Sequence, residues 1–137
     1  MMKQFWNERY AEEEYAYGWQ PNAFFKDSIA EIPKGKILFP AEGEGRNAVF
    51  AAQLGYEVYA FDISKEGKIK ADKLAQKYDV TLDYRVGNLE ALNYPENYFD
   101  AVNHLKVANV FDYYFTKLFI INGLIISFAI VFSAFQI

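Results

Sequence analysis

The sequence predicts an α/β fold built on a parallel, Rossmann-like sheet. An apolar segment at 36–39 leads into a glycine-containing loop at 41–45, and a helical segment follows at 46–54. A second apolar segment, 57–61, ends at the carboxylate of Asp62. A strand, a glycine loop, a helix and a strand that ends in a carboxylate form the first half of a nucleotide-binding sheet. Strands that alternate with helices also imply parallel pairing through right-handed crossovers.

The residues before the first strand are predicted to form a helical cap, residues 1–35. A first helix is expected over 3–16, and after it Gly18 and Pro21 break the helical pattern. Pro21 is well placed to open a second helix over 22–32. An apolar stripe is expected to bury one side of that helix, and it consists of Phe24, Phe25, Ile29 and Ile32.

The rest of the sheet is predicted by capping residues and apolar spacing. Gly55 fits the C-terminal cap of the first sheet helix, and Ser64 fits the N-terminal cap of the next one. Apolar side chains recur in that next helix at helical spacing, at Ala71, Leu74, Ala75 and Tyr78. Strands are then expected over 81–86 and 99–105. The α/β core is thus assigned to residues 36–117.

Composition limits the classes of function. The 137 residues suit one domain, and their net charge of −4 provides no basic field to hold nucleic acid. The chain has no cysteine and one histidine, His104, so no thiolate or multi-histidine metal site is expected. The lack of cysteine fits a reducing compartment, and no secretory signal is visible, so a cytoplasmic location is expected.

The last twenty residues differ from the rest. All 32 charged residues lie at or before Lys117, and residues 118–137 carry no charge. Length and composition make this tail a candidate transmembrane helix, and membrane anchoring through it is an alternative localisation. A buried strand or helix of the sheet is the competing interpretation, and a third is an altered chain end that leaves the sheet incomplete on its C-terminal side.

Two motifs carry a resemblance to a known family. The segment 43–49, Gly-Glu-Gly-Arg-Asn-Ala-Val, and the segment 60–64, Ala-Phe-Asp-Ile-Ser, resemble motifs I and II of class I S-adenosylmethionine-dependent methyltransferases. Within that family the chain is most similar to the small bacterial branch of tellurite-resistance and thiopurine-type enzymes, whose aromatic N-terminal segment resembles residues 5–10. The similarity covers roughly residues 3–105. Members of the family are longer, so the resemblance implies a C-terminally shortened or altered chain.

The resemblance implies that S-adenosyl-L-methionine is the cofactor. The loop 41–45 would pass under its methionine part, Asp62 would bind the ribose hydroxyls, and Ile63 would lie against the adenine. The side chain after the third strand would reach the adenine amine. The expected cofactor-binding residues are Glu42, Gly43, Gly45, Arg46, Asn47, Asp62, Ile63, Asn88 and Leu89. Each has an ordinary structural alternative: a strand–helix turn for the glycines, a helix cap for Asp62, a routine turn residue for Asn88.

The substrate pocket is expected to combine N-terminal aromatic residues with the end of the fourth strand. Its candidates are Trp6, Tyr10, Tyr17, Trp19, Asn103 and His104. Aromatic faces suit a sulfonium cation, although plain packing of the aromatic residues against the sheet explains them equally well. Two residues depart from the family pattern: Phe39 stands where an acidic residue is usual, and Ala41 replaces the first glycine of the loop. Glu42 or Glu44 is a candidate partner for the cofactor's amino group.

The sequence therefore favours methyl transfer from S-adenosylmethionine to a small-molecule acceptor. Such a reaction depends mainly on alignment, so no catalytic residue is predicted. A truncated, inactive or membrane-tethered methyltransferase remnant is a second hypothesis. A third is an NAD-binding Rossmann domain, because residues 43–48 also fit the dinucleotide fingerprint.

Overall fold

The computed structural model describes residues 1–88 and 92–103, and within them four strands form one parallel sheet in the order β3-β2-β1-β4. The strands are β1 (Lys36–Pro40), β2 (Glu57–Asp62), β3 (Asp83–Val86) and β4 (Ala101–Val102). β4 is short, and it pairs with Ile37 and Leu38 of β1. The parallel α/β class is thereby confirmed. Because the chain leaves β1 for β2 on one side and β4 joins on the other, the sheet has its switch point beyond the end of β1.

Helices flank this sheet and precede it. They are α1 (Met2–Ala11), α2 (Ala23–Ser28), α3 (Arg46–Gln53) and α4 (Lys65–Lys77), and a 3-10 turn over Ile29–Glu31 follows α2. Ser64 caps α4 as predicted, since its side chain accepts a hydrogen bond from the backbone N–H of Gly67. Gly55 follows α3 with φ +89°, which fits its expected role at the helix end.

The N-terminal cap differs from the prediction in two places. The helix predicted over 3–16 ends at Ala11, because Glu12 is extended and residues 14–16 instead bind distant side chains. The helix predicted over 22–32 breaks into α2 and the 3-10 turn, and it is capped by Asn22 rather than opened by Pro21. Phe24 was expected in the core, but it is 46% exposed. In so short a helix, Phe25 takes the position that faces the sheet.

Strand boundaries also shift. The third strand begins at Asp83 rather than at residue 81, and the fourth begins at Ala101 rather than at residue 99. Phe99 instead packs with Tyr59 and Tyr94 over one face of the sheet. Leu89, His104 and the tail 118–137 lie outside the described residues. Within residues 1–88 and 92–103, no helix is long and apolar enough to cross a membrane.

The core occupies both faces of the sheet. One face is covered by α2, α3 and α4, and its buried residues include Phe25, Ile37, Phe39, Ala48, Val58, Ala60 and Ala71. The opposite face carries Leu38, Tyr59 and Phe61, against which Leu92, Tyr94, Tyr98, Phe99 and Val102 pack. Buried residues on both faces of a strand are expected in a parallel sheet with two covered sides. The carboxyl ends of β1 and β2 therefore emerge from a packed scaffold.

Candidate functional site

The glycine loop after β1 has a backbone that depends on its glycines. Gly43 has φ +63° and Gly45 has φ +84°, both in the left-handed region that favours glycine. A Cβ atom on Gly43 would lie 2.6 Å from the hydroxyl of Tyr10, and one on Gly45 would lie 2.6 Å from the Cβ of Ala71. Both glycines are thus required by backbone conformation and by close packing.

Asp62 joins the end of β2 to this loop. Its Oδ2 accepts from the backbone N–H of Gly43 at 3.0 Å, and its Oδ1 accepts from that of Ser64 at 2.8 Å. Burial raises the pKa of the Asp62 carboxyl group, and the backbone hydrogen bonds from Ser64, Gly43 and Ile63 partly offset this rise. A carboxylate accepts about four hydrogen bonds, so after these three it retains capacity for a ligand hydroxyl.

Glu42 occupies the N-terminus of α3. Its Oε1 accepts from the backbone N–H of Asn47 at 3.0 Å and from that of Ala48 at 2.8 Å. These N–H groups have no partner within the helix and attract anions in other proteins. Desolvation by burial raises the pKa of Glu42 to about 8, although the two backbone hydrogen bonds and the charge of Arg46 lower it. The loop thus supplies its own hydrogen-bond acceptor for these N–H groups.

The raised pKa of Glu42 predicts a pH dependence of stability. The folded protein holds a proton on this group between the ordinary glutamate pKa and about 8, where the unfolded chain has lost it. The free energy of unfolding should therefore fall as pH rises through this range, by at most about 1.4 kcal/mol per pH unit from this group.

Glu42→Gln keeps the Oε1 acceptor but cannot ionise, so urea unfolding between pH 5 and 8 should show a shallower fall for the variant. Some slope will remain, because the pKa of Asp62 is also raised. Parallel curves for the wild type and the variant would show that Glu42 does not titrate in this way.

Glu44 binds different partners from those of Glu42. Its Oε1 forms an ion pair with Lys70 Nζ at 2.9 Å, and its Oε2 accepts from the backbone N–H of Ala16 at 2.8 Å. The two ionised side chains are 4% and 10% exposed. Glu42 and Glu44 are both candidate partners for the cofactor's amino group. Each carboxylate oxygen of Glu44 already has a protein partner.

Tyrosines surround the loop. Tyr10 from α1 is buried against Gly43 and Gly67 and stacks on Trp6 with ring centroids 5.3 Å apart. Burial raises the pKa of the Tyr10 hydroxyl, and the charge of Asp62 raises it further. The Tyr84 hydroxyl, from β3, donates to the carbonyl oxygen of Gly43 at 2.6 Å. Of the residues predicted for the substrate pocket, Tyr10 thus contacts the predicted cofactor loop, and Trp6 stacks on Tyr10.

The helix residues of the motif bind the N-terminal cap. The side-chain oxygen of Asn47 accepts from the backbone N–H of Asn22 at 2.8 Å, and Asn47 is buried. Arg46 donates to the carbonyl oxygen of Tyr17 at 3.0 Å, with its guanidinium 5.5 Å from the Tyr17 ring centroid. These two side chains therefore hold the cap against the loop, while their roles toward a cofactor stay predictions.

The other predicted site residues are spread around this centre. Ile63 is half-buried directly after Asp62, Asn88 is exposed after β3, and Asn103 is buried after β4, where its N–H donates to Leu38. Tyr17 and Trp19 are exposed, and the ammonium group of Lys77 lies 4.4 Å from the Trp19 ring centroid. Their assignment to a substrate pocket stays a prediction.

Three residues of this region were not singled out in the sequence: Gly67, Lys70 and Tyr84. A Cβ on Gly67 would lie 3.0 Å from both the Gly43 oxygen and the Tyr10 ring. A glycine inside a predicted helix was the available signal for Gly67, since it often marks a close approach. Lys70 and Tyr84 have ordinary positions on a helix and a strand, and no local pattern distinguishes them.

The sheet order, the glycine loop and the carboxylate at the end of β2 define a Rossmann-like nucleotide-binding domain. Residues 40–118 match the family model described as "Methyltransferase domain". This match covers more than half of the chain, and the protein therefore belongs to the methyltransferase domain family.

Solved structures agree with this fold. A structure from work on the conversion of a disulfide bond into a thioacetal group during echinomycin biosynthesis is similar with a TM-score of 0.63 and 24% identity, over 74% of this chain and 46% of that one. Magnesium protoporphyrin IX methyltransferase from Synechocystis PCC 6803, with bound SAH, gives a TM-score of 0.55 and 18% identity, over 74% of this chain and 55% of that one.

TehB from Haemophilus influenzae gives a TM-score of 0.53 and 21% identity, over 73% of this chain and 32% of that one. This chain thus spans about half or less of the length of the first structures that it matches. No curated protein matches it significantly. The identities are low, so these likenesses establish the fold.

Proposed function

We propose that this chain binds S-adenosyl-L-methionine in the glycine loop and takes part in methyl transfer to a small-molecule acceptor. Membership of the methyltransferase domain family supports the proposal. Within the site, the single observation that carries it is the position of the Glu42 carboxyl on the N–H groups of Asn47 and Ala48.

That position argues against a dinucleotide. NAD-binding domains place the pyrophosphate on the N–H groups at the start of this helix. Here Glu42 already accepts hydrogen bonds from two of them, those of Asn47 and Ala48. A pyrophosphate would have to displace the Glu42 carboxyl group from these N–H groups, whereas the sulfonium and ammonium groups of S-adenosylmethionine do not need them as donors.

The residues present fit S-adenosylmethionine. Asp62 retains acceptor capacity for a ribose hydroxyl, and Gly43 and Gly45 have no side chain to obstruct a close approach to the loop. When bound, the cofactor supplies an electrophilic methyl group. The chain's own part is to orient the donor and exclude water, and positioning can contribute about 7–11 kcal/mol. Ile63, Asn88 and Leu89 are proposed to border the adenine.

The acceptor is proposed to be a soft nucleophile such as a thiol, selenide or telluride, as in the tellurite-resistance and thiopurine-type branch. Such acceptors attack a sulfonium methyl group without needing a strong base. The aromatic residues support this proposal, because Tyr10 packs on the loop and Trp6 stacks on Tyr10, and the resemblance implies an aromatic N-terminal segment over the cofactor. Net charge −4 disfavours a nucleic-acid acceptor.

Isothermal titration with three ligands tests the cofactor. We expect heat of binding with S-adenosylmethionine and with S-adenosylhomocysteine, and none with NAD at the same concentrations. Binding of NAD alone would replace the proposal with the dinucleotide hypothesis. A folded protein that binds none of the three would support the inactive remnant instead.

A further inference from the structure

A buried ion pair links the glycine loop to α4 and to the N-terminal cap. Lys70 lies on α4 and Glu44 lies between the two loop glycines, with 2.9 Å between Nζ and Oε1. A pair with so little exposure must satisfy its remaining hydrogen-bonding groups within the protein, because water reaches it poorly. The groups that satisfy this pair come from residues 14–16.

Three hydrogen bonds and one cation–π contact attach residues 14–16 to Lys70 and Glu44. Lys70 Nζ donates to the carbonyl oxygen of Glu14 at 2.5 Å, and the N–H of Ala16 donates to Glu44 Oε2 at 2.8 Å. The Tyr15 hydroxyl donates to the carbonyl oxygen of Lys70 at 3.0 Å, and the Lys70 ammonium lies 5.1 Å from the Tyr15 ring centroid. Undocking of residues 14–16 would leave both members of the pair with unsatisfied groups.

One member of the pair, Glu44, belongs to the glycine loop itself. Glu44 is flanked by Gly43 and Gly45, whose φ values of +63° and +84° aim its side chain away from Glu42 and toward Lys70. Ala71, the residue after Lys70, packs directly on Gly45. The loop, α4 and residues 14–16 are therefore joined by one connected set of contacts.

We infer that residues 14–16 form a strap whose docking, through Glu44 and Lys70, holds the glycine loop in its ligand-binding conformation. Glu44 and Lys70 are then positioning residues and do not touch the ligand. The inference rests on the proposed function for the identity of the ligand. By reciprocity, a ligand bound in the loop must strengthen strap docking by the same factor by which the strap strengthens binding.

Lys70→Met tests this inference, and Lys68→Met is the matched control. Lys68 is on the same helix and pairs with Asp72 at an exposed position. Amide hydrogen exchange at Gly43 and Gly45, without ligand, should be faster in Lys70→Met and unchanged in Lys68→Met. A Glu-specific protease should cut the strap at Glu14 faster in Lys70→Met. Binding of S-adenosylhomocysteine should be weaker in Lys70→Met, with a Kd raised roughly tenfold, within the usual range of coupling.

Ligand protection of the strap separates coupling from a general loss of structure. S-adenosylhomocysteine should slow cleavage at Glu14 in the wild type, and this protection should be smaller in Lys70→Met. Tyr15→Phe removes one strap contact without altering the ion pair, so it should shift exchange and affinity in the same direction by a smaller factor. It also serves as the test if Lys70→Met does not fold.

Unchanged loop exchange in a variant whose strap is cut faster would overturn the inference. Equal affinity for S-adenosylhomocysteine in the wild type and in a variant with an undocked strap would overturn it as well. If the wild type does not bind this ligand, the proposed function fails, yet the exchange experiment still decides whether strap and loop are coupled.

Discussion

Gly45→Ala is expected to lower the free energy of unfolding by about 2–5 kcal/mol. The left-handed backbone at φ +84° costs a residue with a side chain about 1–2 kcal/mol, and forced packing typically costs a further ~1–3 kcal/mol. The new methyl group would lie 2.6 Å from the Cβ of Ala71 and 3.0 Å from its Cα, so backbone has to move. Ligand affinity should fall with the distortion of the loop.

Gly55→Ala is the matched control for this substitution. Gly55 has φ +89°, and a Cβ there would meet nothing within 4 Å, so the variant should show the conformational cost alone, about 1–2 kcal/mol. Urea unfolding of both variants gives the difference that belongs to packing on Ala71. In a double-mutant cycle, Ala71→Gly should recover part of the loss in Gly45→Ala. Equal losses at Gly45 and Gly55 would show that helix α4 does not constrain the loop.

Asp62→Asn is expected to weaken binding of S-adenosylmethionine by roughly 10- to 100-fold, which is the usual value of a hydrogen bond to a charged group. Asparagine keeps one acceptor oxygen for the N–H groups of Gly43 or Ser64 but loses the charge and the second oxygen. The loop should thus remain largely formed while the acceptor for the ribose is weakened. Isothermal titration measures the change in Kd.

Asp72→Asn controls for the loss of one negative charge. Asp72 is exposed on α4, where it pairs with Lys68, and an exposed pair contributes little to stability. Its neutralisation should leave ligand affinity within about twofold of the wild type, since the charge is screened by solvent. If Asp62→Asn also left affinity unchanged, Asp62 would be a loop-organising residue that does not bind the ribose.

The central βαβ unit could be predicted from sequence because its signals are local. Gly43, Gly45 and Asp62 mark a strand–loop–helix–strand unit within about 25 residues, and Ser64 marks the next helix start. The predicted sheet helix, 46–54, differs from α3 by one residue. Each of these features is decided by neighbours in the chain, so one sequence contains the information.

The N-terminal cap could not be predicted in the same way. Residues 12–16 are compatible with a helix by composition, but the backbone of Glu14 and Ala16 binds Lys70 and Glu44, more than 25 residues away. Tertiary contacts thus override local propensity. The different roles of Glu42 and Glu44 could not be predicted either. Glu42 accepts from the nearby N–H groups of Asn47 and Ala48, but Glu44 binds Lys70 and Ala16, which are distant in the chain.

The side chain of Asp100, directly before β4, has a consequence for how the sheet assembles. Asp100 accepts from the backbone N–H of Lys36 at 2.7 Å, its own N–H donates to the Lys36 carbonyl oxygen at 2.8 Å, and any side chain on Gly35 would collide with its carboxylate. β4 pairs with β1 through only two of its residues, so this pairing alone fixes the register of the two strands weakly. The hydrogen bonds of Asp100 fix this alignment. Because Asp100 meets Lys36 across 64 residues of chain, β4 should join late in folding, after a local β1–α3–β2 nucleus.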